Sequence, residues 1–270
     1  MLRIKQLLTV MSLAAGSALA MGTAPAQALG FSFSPFQFST QWQGSAPTGD
    51  VMLKSITTGG KTTSDFYTVT GANILQNDAR VPGVSDSGAA SSDRGDAVTN
   101  YGTVQEDASN ASIVSSLGNL NLNSIIDTED RGGFTIDVTF GKAMNEFLFW
   151  ERGMNSALKV QAIGEGDTVL AEYLLNSRPG QGFNFAGFGI NTTEINEVQA
   201  VGSLGLKLAG GYTNRLRLTS VKNSSLYNGP DFKVVGANPV PEPMTIVGTA
   251  MAASAFAAAR RKRKAAAEQA

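Results

Sequence analysis

From Phe134 to Phe140 the chain reads Phe-Thr-Ile-Asp-Val-Thr-Phe, apolar and polar side chains in strict alternation. A period of two is what a pleated strand with one buried face demands, because successive side chains leave opposite sides of the backbone. Phe134, Ile136, Val138 and Phe140 are therefore expected to face a core, and Thr135, Asp137 and Thr139 to face water. The same period runs from Phe31 to Trp42, but its phase slips at Pro35: Phe31 and Phe33 share one parity, while Phe36, Phe38 and Trp42 fall on the other side. Proline has no N–H to give to a ladder, so this stretch is expected as an edge strand bulged at Pro35. Further strand signals lie at 66–70, 146–150, 158–163, 168–175, 215–219 and 231–235. Glycine-rich turns separate them, as at Gly132-Gly133, Gly164-Glu165-Gly166-Asp167, Pro179-Gly180 and Gly210-Gly211. Strands at this spacing, with hardly any helical periodicity, predict an all-β fold: an antiparallel two-sheet sandwich of the jelly-roll kind. One short helix interrupts it between Ser109 and Leu117, with Ile113, Val114 and Leu117 on one face, Ser109 as the cap and Gly118 as the stop. The stretch from Pro82 to Gly102, rich in serine, aspartate, glycine and alanine, is expected as a long surface loop.

The two ends of the chain follow different rules. Arg3 and Lys5, a short apolar run and the Ala26-Gln27-Ala28 site make residues 1–28 a secretory signal peptide, with Ala26 and Ala28 marking cleavage. A second small-residue site, Ala18-Leu19-Ala20, stands as the alternative cut. At the other end Pro241-Glu242-Pro243 precedes an uncharged run from Met244 to Ala259, and Arg260, Arg261, Lys262, Arg263 and Lys264 follow it. As a helix that run reaches about 24 Å, slightly short of a bilayer's hydrocarbon core. The basic cluster holds its far end in the cytoplasm by the positive-inside rule. The chain thus divides into a signal peptide (1–28), a β-sandwich ectodomain (29–237), a linker with the Pro-Glu-Pro motif (238–243), a transmembrane helix with its basic cluster (244–264) and a cytoplasmic tail (265–270).

This tripartite end resembles the PEP-CTERM sorting domain, in which a Pro-Glu-Pro motif, a short transmembrane helix and a basic cluster occur in that order. The resemblance covers about the last 30 residues. It implies passage through a signal peptidase and then an exosortase that reads Pro241, Glu242 and Pro243, transient residence in the inner membrane, and delivery to the cell surface or extracellular matrix of a Gram-negative-type bacterium. Asp93-Arg94-Gly95-Asp96, Ile126 to Asp130, Phe149 to Ser156 and Gly229 to Val235 also resemble blocks of a cyanobacterial family of exosortase-dependent surface proteins. That likeness implies location and transfers no catalytic residue.

Composition narrows the chemistry. The 270 residues include no histidine and no cysteine. Imidazole bases, thiol nucleophiles and the usual zinc, haem and iron–sulfur ligand sets are therefore missing, and so are disulfides. What remains is oxygen chemistry. Asp127, Glu129 and Asp130, just before Gly132-Gly133, form an acidic knot that could hold calcium, although no EF-hand or nonapeptide pattern surrounds it. Glu146 and Glu151, five apart, would point to opposite faces of a continuous strand, which does not suit an acid–base pair. Glu151 and Arg152 are expected to satisfy a turn or to pair locally. Between residues 29 and 240 the chain carries 14 basic and 20 acidic side chains, a balance that repels nucleic acid. The expected function is a non-enzymatic exported surface or matrix protein with a structural or polysaccharide-binding role. The alternative is a carboxylate-dependent glycosidase or lyase acting on extracellular polysaccharide.

Overall fold

A computed structural model describes residues 30–79, 81, 90–92, 97–99, 102–104, 108–129, 131–178, 180–191, 197–220 and 229–239. The expected signal peptide with Ala26 and Ala28, Asp130, the Pro241-Glu242-Pro243 motif, the apolar run and the basic cluster Arg260 to Lys264 lie outside the described residues. Among those described, no helix is long and apolar enough to cross a membrane.

The strands, in chain order, are β1 (Ser32–Phe36), β2 (Ser39–Gly44), β3 (Val51–Thr58), β4 (Lys61–Thr63), β5 (Val69–Asn77), β6 (Ala90–Ser92), β7 (Ala97–Thr99) and β8 (Gly102–Val104). After helix α1 (Asn110–Leu117) come β9 (Ile126–Thr128), β10 (Phe134–Arg152), β11 (Ala157–Ile163), β12 (Val169–Asn176), β13 (Asn184–Ile190), β14 (Gln199–Ala209), β15 (Thr213–Ser220) and β16 (Asp231–Pro239). The region expected as one long loop thus contains the short strands β6 and β7 and ends on the first residue of β8: β6 pairs with β9, and β7 pairs with β8.

β10 organises the molecule, because its 19 residues serve two sheets. Its first half, Phe134 to Phe140, lies between β5 and β15. After a register break between Thr139 and Met144, its second half lies between β14 and β16. A strand that changes sheet at a bulge makes the corner of a sandwich. The front sheet runs β5, β10, β15, β11, β12; the back sheet runs β9, β16, β10, β14, with β1 and β13 sharing the far edge of β14. Every one of these pairings is antiparallel. Phe134, Ile136, Val138 and Phe140 meet Phe147, Phe149, Leu204, Leu206, Phe232 and Val234 between the sheets, on the parity that alternation predicts.

The back sheet is buried on its other face too. The small sheet β2–β3–β4 covers it, with Phe38, Val51, Leu53 and Ile56 packed on Leu148, Trp150, Val235 and Ala237. The sandwich therefore carries a third layer, which explains why Phe147 to Trp150 is apolar at every position: a strand covered on both faces has no water side to reserve for polar residues. The bulge expected at Pro35 does not form: β1 pairs with β14 in unbroken register from Ser32 to Phe36, and the change of parity instead sends the rings to different layers. Phe33 lies edge-on to Phe147 in the first core, with ring centroids 6.3 Å apart, whereas Phe38 reaches Trp150 in the second at 5.4 Å. Gly205 on β14 leaves the space that the ring of Phe36 fills; a Cβ there would lie 2.3 Å from the ring. Helix α1 forms as its sequence predicts: Ser109 caps it, accepting from the Ser112 amide, and Ile113 and Leu117 are buried.

Candidate functional site

The strands present two differently built ends. At the end where β10 finishes and β16 begins, charged side chains are sealed inside. Arg152 is fully buried on the back sheet's outer face. Its Nη2 donates to Asp231 Oδ2 at 2.6 Å and to both oxygens of Asp127 at 3.2 and 3.3 Å, while its Nε donates to Asp231 Oδ2 at 3.2 Å. One guanidinium thus ties β9, β10 and β16 together. Asp231 also accepts the Thr128 amide at 2.9 Å. Burial, and after it the neighbouring Asp127 carboxylate, push its carboxyl well above the ordinary range, against the pull of Arg152. Two residues along β16, Lys233 donates to the carbonyls of Ser116 and Ser124 and to Asn119 Oδ1, and burial holds its amine well below the usual lysine range.

Glu151 points the other way, into the sandwich. It accepts from Ser156 Oγ at 2.6 Å and from the Met154 amide at 2.9 Å, across a turn containing Gly153 and Met154, both with positive φ. Burial raises its carboxyl to about 7, opposed by those hydrogen bonds. The cavity beside it, lined by Phe149, Ser177, Phe183 and Phe232, measures about 10 Å³. That is room for at most one water and for no substrate.

The other end is open. The β11–β12 turn, residues 164–168, and the β14–β15 hairpin border a cleft of about 530 Å³ that also touches Thr139 and Ala143 on β10. Glu165, Asp167, Asn214 and the exposed ring of Tyr212 line it. Arg215 Nη2 donates to Asp167 Oδ1 at 2.6 Å and to the Gly164 carbonyl at 3.1 Å, and Thr213 Oγ1 donates to the Ile163 carbonyl at 2.6 Å. Gly166 and Asp167 both sit in the left-handed region, at φ 60° and 61°. From the cleft the front sheet's outer face continues as a polar row in register across five strands: Asn73, Asp137, Arg217, Gln161 and Glu172. Arg217 grips Asp137 with two parallel bonds of 2.7 and 2.9 Å, which raise its own already high pKa, and Gln161 donates to Glu172 at 2.7 Å.

The sequence-based candidates divide between these places. Asp127 is a buried partner of Arg152 rather than an exposed loop ligand, Glu129 follows it half-buried just past β9, and Asp130 lies outside the described residues. Among the described residues no three acidic side chains come together as a metal would need. Glu151 does satisfy its own turn, but Arg152 pairs across strands distant in sequence. Glu146 meets Lys207 directly opposite on β14, at 2.9 Å and partly in water. The cleft residues escaped the sequence reading because they come from three turns and strands that no local pattern joins. The one available signal was the Gly164-Glu165-Gly166-Asp167 turn, which marks a tight reversal carrying two carboxylates.

No protein-family model and no curated protein matches the chain. Among solved structures, a histidine mutant of the lectin binding domain of Lectinolysin complexed with Lewis b is similar over 54% of this chain and 89% of that one, at 9% identity and a TM-score of 0.29. A similarity that low says nothing of this chain's ligand.

Proposed function

We propose that the chain is an exported surface or matrix protein whose sandwich binds extracellular polysaccharide without transforming it, and whose C-terminal PEP-CTERM-like signal is read by an exosortase. The strand order supports the jelly-roll reading: β9, β16, β10, β14 on one side and β10, β15, β11, β12 on the other is the order of two interlocked Greek keys, once the halves of β10 count as separate strands. The observation that carries the binding reading is the separation of acid chemistry from open space. Glu151, the carboxyl raised to about 7, is sealed beside a cavity for one water, while the cleft large enough for a sugar lies at the other end of the strands and holds Asp167, committed to Arg215, and the exposed Glu165. A glycoside hydrolase needs its raised acid where the glycosidic oxygen sits.

The sorting half of the proposal rests on the sequence: Pro241, two residues beyond the end of β16, opens the Pro-Glu-Pro motif. Fractionation of producing cells with and without the exosortase tests it. The expected result is a processed, surface-associated form with the enzyme and a full-length, membrane-embedded form without it; the full-length form in both would sink the sorting reading. For the sandwich, a glycan array probed with the full chain in mild detergent is expected to show polysaccharide binding. Incubation with the bound polymers is expected to release no new reducing ends. Reducing ends that disappear on Glu165→Gln or Asp167→Asn would favour the glycosidase instead.

A further inference from the structure

We infer that the open cleft between the β11–β12 turn and the β14–β15 hairpin is a subsite for uncharged hexopyranose chains, an inference that rests on the polysaccharide-binding reading and assigns it a place. Its volume of about 530 Å³ lies within the range of small-ligand sites. Among the described residues the exposed aromatic rings are Phe31, Phe185 and Tyr212, and two of the three gather at this hairpin: Tyr212 lines the cleft, and Phe31 packs on Gly211, where a Cβ would stand 2.8 Å from its ring. An accessible tyrosine offers an apolar face to the C–H side of a pyranose and a hydroxyl to its rim.

The polar groups around that ring suit hydroxyls. Arg215 is held in place by Asp167 and the Gly164 carbonyl, so its remaining N–H groups are presented without further ordering. Asn214 supplies an amide and Glu165 a carboxylate, each of which can engage adjacent hydroxyls on one sugar. Asp167 holds a left-handed φ that most non-glycine residues avoid, and that conformation goes with its salt bridge to Arg215 at the cleft wall. The charges set the ligand class. Glu165 and Asp167 against Arg215 leave the cleft with an excess of one negative charge, which disfavours uronates and sulfated chains. The surface beyond sets its length. Thr139 and Arg215 lead, two residues along their strands and thus about 7 Å on, to Asp137 and Arg217 and the rest of the polar row. That continuity favours the interior of a chain over a single terminal sugar.

Affinity electrophoresis of the full chain in mild detergent, through gels containing a neutral β-glucan, a galactomannan or polygalacturonate, tests this. The expected result is retardation by a neutral polymer and not by polygalacturonate. Tyr212→Ala and Asn214→Ala are each expected to weaken that binding by about tenfold or more, as loss of an anchor does. Phe185→Ala, on β13 at the edge of the back sheet, is expected to leave it unchanged, and all three variants to melt like the parent. Retardation that survives both cleft substitutions would overturn the assignment while leaving polysaccharide binding intact. Stronger retardation by polygalacturonate would overturn the ligand class. Binding to no polymer, here and on the array, would remove the broader reading and this one together.

Discussion

The two ends of the sandwich use the same residue types for opposite purposes. At the closed end Arg152 sits between Asp127 and Asp231 with no side-chain surface in water, and Glu151 lies behind it in the core. At the open end Arg215 holds Asp167, whose side chain is 67% exposed. Burial decides what each arrangement is for. A charge in a low-dielectric interior must be matched or its neighbourhood fails, so the closed end acts as a clamp on β9, β10 and β16. A charge at the surface contributes little to folding and is free to be displaced, screened or shared with a ligand. β16 runs from the one end to the other, with Asp231 in the clamp and Pro239 opposite Met144, one residue along β10 from the cleft's Ala143. β16 thus ends on the side that carries the cleft.

Substitutions at the closed end should produce the largest effects. Arg152→Met leaves two buried carboxylates without their cation, and chemical denaturation is expected to show a loss of about 3–5 kcal/mol. Adding Asp127→Asn and Asp231→Asn to it should recover a large part, since the cost arises from unmatched charge more than from the missing contact. If the triple variant is no better than the single, the clamp works by packing alone. Glu151 gives the next largest effect, and it is a pH effect. Its carboxyl stands at 4.5 ordinarily and at about 7 in the fold, so the folded state retains a proton that the unfolded chain has released across that interval. Stability should therefore fall as pH rises from about 4.5 to about 7, by about 3 kcal/mol from this group, and level off above. Glu151→Gln imitates the protonated acid and should flatten that slope, being more stable than the parent at pH 8. An unchanged slope in thermal melts across this range would mean that Glu151 is not its source. Gly205→Ala, which drives a methyl into the ring of Phe36, is expected to cost about 1–3 kcal/mol by overpacking.

The parts of this fold that were legible in the sequence are those with one buried face. Phe134 to Phe140 alternates because its outer positions are polar, although only Thr135 and Thr139 reach water in part and Asp137, expected there too, is buried against Arg217; Ser109 to Leu117 shows its cap and stripe because α1 lies on the surface. β14 was not legible. Gln199 to Ala209 is covered on both sides and pressed by aromatic rings, so it carries Gly202 and Gly205 where a strand pattern would put branched side chains. β3 and β13 were missed as well. β13 is interrupted by glycines, with a register break between Phe185 and Gly189. The clamp was half legible: Asp127, Glu151 and Arg152 stand out in the sequence, but there Asp127 belongs to an acidic knot that could hold calcium and Arg152 has only local partners in view. Nothing local could join Asp127 to Arg152, or either to Asp231, because the three meet only through sheet register. Lys233 left no mark, since a lysine inside an apolar strand looks like a water-facing position until the last turn of α1, with Ser116, and the loop after it, with Asn119 and Ser124, close over it.

The smallest expected effect is the sharpest test of the contrast between the ends. Asp167→Asn removes a salt bridge of 2.6 Å, as short as the closest contact in the clamp, so distance alone would rank the two together. Exposure ranks them apart: the pair at the open end is expected to be worth less than about 1 kcal/mol, and less again in high salt. Asparagine tolerates the left-handed backbone that Asp167 adopts, so the substitution isolates the charge from the turn. Denaturation at low and high ionic strength should therefore find Asp167→Asn close to the parent, while the same pair of measurements on Arg152→Met shows a large and nearly salt-independent loss. A loss at Asp167 comparable to that at Arg152 would mean that the open end is also a clamp, and that the cleft beside it is a by-product of folding rather than a place kept for a ligand.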